Sequence, residues 1–266
     1  MSNPTSVTAR IALTVTQPAR LVFSVAVAQG TPTDRETLSI TVDGTEVPAT
    51  EVSSIAGTRL HVVDAPTGRL ELAYAADVTG SAPTPAVTDA EAIEYTRPSR
   101  YCESDRLNVL APTQFADLAG QELVTAVGAW VNGHMRYIPG FSGSTDSAID
   151  TLLAGQGVCR DFAHLTVAML RACGVPARLT AAYAPGLVPM DFHAVAEAAV
   201  DGRWQVVDAT RLVPRAGLVR IATGRDAADT AFLTVLSGQV TFGPVQVTCY
   251  AHDGLLPEDP SQPVHL

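Results

Sequence analysis

The chain has 266 residues, 47% of them hydrophobic, and 17 basic against 27 acidic residues give a formal charge of -10. That length allows one large domain or two modest ones with a real core, and the scattered basic residues offer no phosphate-neutralising stripe, so nucleic acid is not an expected partner. Met1 to Arg20 lacks a basic n-region and an unbroken apolar h-region, and every apolar run is too short to cross a bilayer, so no export signal, membrane span or membrane partner is expected.

From about Ser6 to Ala76 the runs ARIALTV, RLVFSVAV, TLSITV, TEVPATEV, TRLHVV and RLELAYA alternate apolar and polar residues between Gly, Pro and Asp turns. They predict a β-rich N-terminal domain over residues 1–85, with a hairpin turn at Val42-Asp43-Gly44-Thr45. His61, inside LHVV, reads as a strand residue. The stretch Thr79-Gly80-Ser81-Ala82-Pro83-Thr84-Pro85 has linker composition and places a boundary near residue 85. A second domain is expected over 86–250 and a C-terminal tail over 251–266.

In that second part Leu123, Val124, Val127, Trp130 and Val131 recur at helical spacing and Gly133 follows, predicting an amphipathic helix over 121–132. Another helix is predicted from about Val158 to Cys173, with Phe162, Leu165, Met169, Leu170 and Cys173 on one face and Gly174-Val175-Pro176 ending it. After it come RLTAAYA, a Pro/Gly loop over 185–189, and two alternating runs, Phe192 to Val200 and Arg203 to Thr210, joined by Asp201-Gly202. Strands followed by this mixture make the chain α+β.

Gly155-Gln156-Gly157-Val158-Cys159 places a thiol where a glycine-rich loop becomes a helix. Unpaired N–H groups and the positive dipole end stabilise a thiolate there, and a backbone N–H can face a developing oxyanion. Cys102, Cys173 and Cys249 read as buried space-fillers. The four cysteines are widely spaced outside any CxxC pairing, which fits reduced thiols in a cytoplasm better than disulfides or structural zinc.

A thiolate needs a base, and spacing connects only His193 to a third group. If Asp201-Gly202 is a two-residue loop, Val200 pairs with Arg203, Val195 lies opposite Asp208, and His193 lies opposite Thr210. His193 and Asp208 are then diagonal neighbours on one face, with Cα atoms roughly 7–8 Å apart, so the carboxylate can hold the imidazole. A three-residue loop would put them on opposite faces. Taken singly, each also reads as an ordinary residue at a strand end. His164, about 140° around the helix from Cys159, reads as structural. His134 reads as a helix C-terminal cation, and His252 and His265 as tail residues. A zinc site built on Cys159 has no histidine pair at short spacing, so neither metal nor cofactor is expected.

GQGVCRDFAHLTVAMLRACGVPARLTAAY followed by DFHAVAEAAVDGRWQVVDAT resembles the transglutaminase-like core of bacterial proteins, in which G-x-C-x-[DE]-[FY]-A, RxxGxPAR, HAW and D-[PA]-T occur in that order. The resemblance runs from near Tyr95 to Gly238, and YTRPSRYCESDRL and GRDAADTA are similar to that family's flanks. It implies a papain-like core, with the cysteine helix packed on an antiparallel sheet behind a β-rich N-terminal domain. It also implies a Cys–His–Asp triad that maps onto Cys159, His193 and Asp208. Val195 stands where the family usually has Trp, which bears on the cleft wall, and Asp208-Ala209-Thr210 stands for its usual Asp-Pro-Thr. Arg160 and Asp161 receive no role beyond a favourable dipole for Asp161. Gln156 and Tyr137 are candidates for a second oxyanion donor.

The expected chemistry is attack by Cys159 on a peptide, protein or small amide carbonyl, giving a thioester that water or an amine resolves. The rivals are an arylamine N-acetyltransferase-like acyltransferase and a binding module that keeps the fold without the chemistry. The sequence does not give the acyl donor, the acceptor or the oligomeric state.

Overall fold

The alternating N-terminal runs fold into strands, though longer and less interrupted ones than the sequence suggests. The computed structural model describes residues 3–54, 56–84 and 86–266. ARIALTV and the start of RLVFSVAV, expected as two strands, form one, β1 (Thr5–Phe23). Val7, Ala9, Ile11, Leu13 and Val15 are buried along one of its faces, the period of two that a half-covered sheet requires. β2 (Thr33–Val42) turns through Asp43-Gly44, both at positive φ, into β3 (Thr45–Glu46), and Val42 pairs with Thr45 as expected. TEVPATEV does not hold together as a strand. Pro48 lies in the break before β4 (Thr50–Ser53), consistent with its inability to donate to a ladder. β5 (Arg59–Ala65) and β6 (Gly68–Val78) follow.

From residue 86 on the chain forms α1 (Asp89–Glu94), α2 (Leu110–Gln114), α3 (Gly120–His134), β7 (Arg136–Tyr137), α4 (Ala148–Ala154), β8 (Gln156–Gly157) and α5 (Cys159–Ala172). Then come β9 (Ala177–Tyr183), β10 (His193–Val200), β11 (Arg203–Val207), β12 (Val219–Gly224), α6 (Ala227–Thr230) and β13 (Leu233–Ala251). Strands β11-β10-β9-β12 make an antiparallel sheet in that order, and β7 pairs with β8 in parallel.

The division expected at residue 250 differs from the observed pairing. β13 lies against β1 from Thr5↔Ala251 to Phe23↔Leu233, so it completes the N-terminal seven-stranded sheet. An alternating run carries no mark of its partner, and sequence position alone assigned it to the second domain. The expected boundary residue Pro85 lies outside the described residues. Just after it, Ala86 bridges to Arg203 and the Val87 N–H donates to the Gly202 carbonyl. The expected tail is also packed. Arg215 donates to the Glu258 carboxylate and to the carbonyls of Asp259 and Gln262, and Leu266 is buried.

α5 is the centre of the second part. Its residues from Asp161 to Arg171 are all buried, not just the single face that periodicity suggested. A helix buried all round must satisfy its polar side chains internally. Arg171 does so by donating to the carbonyls of Arg97, Ala177 and Arg225, and His164 Nε2 accepts the Ala227 N–H at 3.1 Å. Leu165, Met169 and Leu170 pack with Val127 and Val131 of α3 and with Ala196 and Ala198 of β10. Each large side chain so buried contributes about 1.5–3 kcal/mol. Tyr183, Val219 and Ile221 of the four-stranded sheet join the core of the N-terminal sheet instead. Among the described residues no helix is long and apolar enough to cross a membrane.

Candidate active site

Cys159 is the first residue of α5 and is half-buried. Two local features shape the turn before it. The Asp161 carboxylate folds back to accept the Val158 N–H at 2.7 Å, which satisfies one of the free amides at the helix start. Gly157 lets this happen, because a Cβ there would come within 2.6 Å of Asp161 Oδ2.

The hairpin register is the one the turn residues predict. Asp201 and Gly202 both have positive φ, and the ladder runs from Val200↔Arg203 to Ala196↔Val207. It brings His193 and Asp208 together at 2.8 Å, Nε2 to Oδ2, with both side chains buried. Asp208 Oδ1 accepts from the Thr210 N–H at 2.9 Å and from the Thr210 hydroxyl at 2.7 Å. The aspartate is therefore held on both oxygens.

Burial is the largest influence on His193 and would lower its pKa. The Asp208 charge and hydrogen bond overcome it, with a further contribution from Cys159, and the imidazole is raised to about 10. Burial likewise opposes the charged Asp208, and His193 and Thr210 outweigh it to hold the carboxyl below its ordinary range. His193 Nδ1 is buried with no hydrogen-bond partner. With Nε2 taken by Asp208, Nδ1 is the ring nitrogen left for the thiol. The Cys159 sulfur lies 4.0 Å from the carbonyl oxygen of Phe192, the residue just before His193.

Of the two oxyanion candidates, Tyr137 is the one whose phenol feels the Cys159 thiol and backbone. Its phenol is pushed up to about 12 by burial and by the Cys159 sulfur, while the Cys159 backbone N–H pulls the other way. The ring packs on Phe162 of α5 at 6.0 Å. Gln156 lies in β8 with a half-buried side chain that makes no hydrogen bond to a described residue.

The other histidines stand apart from this arrangement. His61 is a buried strand residue facing Glu51 at 3.2 Å, His164 stacks on Tyr101, and His134 stacks on Trp130 at the end of α3. Val195 is buried beside Ala182 and Val206, so the missing tryptophan bears on internal packing. Cys173, expected on the core face of its helix, is only half-buried at the helix end, whereas Cys102 and Cys249 are buried. Among the described residues no group of three or more His, Cys, Asp or Glu side chains is placed to hold a metal ion. What sequence reasoning left unassigned was the pair Arg160 and Asp161. Asp161 two positions after the thiol, with Gly157 ahead of it, was the available signal for a capping carboxylate.

The profile of the transglutaminase-like superfamily matches residues 111–209, a span that includes Cys159, His193 and Asp208. The crystal structure of a candidate cysteine protease from Cytophaga hutchinsonii is 33% identical in sequence, with a TM-score of 0.88 over 97% of this chain and 93% of that one. An uncharacterized protein of Mycobacterium leprae is 33% identical over 123 residues, which spans 42% of this chain and 43% of that protein. The α+β core, the order of its motifs and this likeness along nearly the whole length agree, and the chain belongs to the transglutaminase-like superfamily.

Proposed function

We propose that Cys159, His193 and Asp208 act as nucleophile, base and orienting carboxylate of a thiol-dependent acyl-transfer enzyme working on peptide or amide bonds. The observation that carries this reading is the His193–Asp208 contact at 2.8 Å, which leaves a partnerless Nδ1 on the ring facing a thiol at the start of a helix of 14 residues. The Cys159 sulfur attacks the carbonyl with its proton carried on His193. Asp208 stabilises the imidazolium and fixes the ring, and the imidazolium then gives its proton to the departing amine. The Cys159 backbone N–H and the Tyr137 hydroxyl, whose phenol feels both the thiol and that N–H, are taken as the oxyanion donors. Water or an amine completes the cycle on the thioester. The chain contains no lysine, so a second copy offers no ε-amino group as acceptor.

The likeness to a candidate cysteine protease supports the peptide or amide donor. The experiment is intact-mass detection of an acyl adduct on Cys159 after incubation with a peptide-amide library, with and without an added alkylamine. The expected result is an adduct in the wild type that is absent from Cys159→Ala and is turned over faster with amine or on standing in water. A library that never acylates Cys159, while the folded protein binds peptides equally well with or without the thiol, would support the silent binding module instead.

A further inference from the structure

The chain between β7 and α4 is strapped to residues on both sides of Cys159. At its start the Ile138 N–H donates to the Gly157 carbonyl at 2.9 Å. In its middle the Ser142 hydroxyl donates to Asp161 Oδ1 at 2.9 Å and accepts from Arg160 Nη2, which also donates to the Gly143 carbonyl. The Gly143 N–H in turn donates to Asp146 Oδ2 at 2.7 Å. Asp161 is the same carboxylate that holds the Val158 N–H, so one buried group fixes both the turn presenting Cys159 and the strap beside it.

The strap carries two large apolar side chains outward, Ile138 at 40% and Phe141 at 46% exposure. The segment leading into His193 also exposes Val188 and Met190, and its Phe192 carbonyl lies 4.0 Å from the sulfur. Single exposed apolar residues need no explanation, but these four lie on the two segments whose backbones meet the thiol's surroundings, one at the Gly157 carbonyl and the other through the Phe192 carbonyl.

We propose that this strap is the specificity wall of the thiol cleft: Ser142, clasped by Arg160 and Asp161, holds Ile138 and Phe141 so that the site takes acyl donors with an apolar or aromatic side chain beside the reacting carbonyl. This rests on the reading of Cys159 as nucleophile. Ser142, Arg160 and Asp161 are positioning residues, and Ile138 and Phe141 make the contact.

The test compares two reagents with the same warhead, iodoacetamide and N-benzyl iodoacetamide, by their alkylation rates at Cys159 followed by mass spectrometry. Each ratio is normalised to the ratio for glutathione. Wild type should prefer the benzyl reagent by about 10-fold or more, the scale on which an apolar pocket discriminates. Phe141→Ser and Ser142→Ala should bring the ratio close to that of glutathione, while Phe141→Leu and Ser142→Thr, which keep the apolar surface and the hydroxyl, should preserve it. A wild-type ratio equal to that of glutathione, or one that survives either Phe141→Ser or Ser142→Ala, overturns the proposal. The ratio is read at whatever absolute rate Cys159 reacts, so a thiol slow toward both reagents counts against the nucleophile and a flat ratio counts against the wall.

Discussion

His193 Nε2 and Asp208 Oδ2 are 2.8 Å apart although the ladder joining their strands closes one pair short of the aspartate, at Ala196↔Val207. Asp208 is thus placed by the hairpin and then held by Thr210 instead of a cross-strand partner. Asp208→Asn keeps an acceptor for the Thr210 N–H, so the fold should survive. Loss of the charge should lower turnover by roughly two to four orders of magnitude with little change in substrate affinity. Single-turnover acylation kinetics beside an equilibrium binding measurement would check this, and wild-type turnover would remove Asp208 from the triad.

The pH dependence of stability follows from the same pair. His193 is raised from 6.5 to about 10, so its contribution is full below pH 6.5 and is lost as the pH rises through about 10. Asp208 is lowered from 3.8, so its share is present above that value and is lost as the pH falls below it. The two groups titrate together. The stability advantage of wild type over His193→Gln, taken from denaturant midpoints between about pH 5 and about pH 11, should be level up to about pH 6.5 and then fall steadily until about pH 10. A loss centred at the ordinary histidine value would contradict the pairing.

Accessibility orders the four thiols. Burial raises the pKa of Cys173, pushes Cys249 up to about 12, and raises Cys102 further still. Near neutral pH iodoacetamide should therefore label Cys159 first and Cys173 slowly, and reach Cys102 and Cys249 only in unfolded protein. Peptide mapping over a time course gives the order. Equal rates at Cys159 and Cys173 would favour a chain that has kept the fold without the chemistry.

Glu197 is fully buried between two guanidiniums, accepting from Arg178 Nε at 2.9 Å and from Arg220 Nη2 at 2.6 Å, with the Thr180 hydroxyl at 2.8 Å. Burial raises its pKa, but Arg220 and Arg178 outweigh that and hold it at about 2. Glu197→Gln leaves two buried cations short of their counter-charge and should cost about 3–5 kcal/mol in a denaturant titration. A cost under about 1 kcal/mol would mean that water or Glu91, which faces Arg178 Nη1 at 3.1 Å, replaces it.

The parts of this molecule that were legible in the sequence are those fixed by local chemistry. Asp201-Gly202 suits a two-residue type I′ turn, and the positive φ both residues adopt makes it one, so the register of β10 and β11, and with it the meeting of His193 and Asp208, follows from the turn residues. The glycines before Cys159 marked a helix start in the same way. What could not be read was set by partners distant in the chain. Nothing in LTVLSGQVTFGPVQVTCYA says that it pairs with β1, nor does the periodicity of α5 show that its polar residues would be buried. The clasp was hidden for a related reason, since Ser142 meets Asp161 only once β7 and β8 lie side by side.

The pairing of β13 with β1 bears on how the chain can be divided and in what order it assembles. The two strands meet from Thr5↔Ala251 to Phe23↔Leu233, so the N-terminal sheet stays open along one side until residues 233–251 have left the ribosome. A fragment stopping near residue 84 would expose the long edge of β1, and a fragment beginning near residue 86 would carry an orphaned strand of 19 residues. Neither piece is a natural expression unit, and both invite edge-to-edge aggregation. Closing the sheet last, through contacts between distant parts of the sequence, also places the slow stage of folding there, after the helical layer around Cys159 can already have formed.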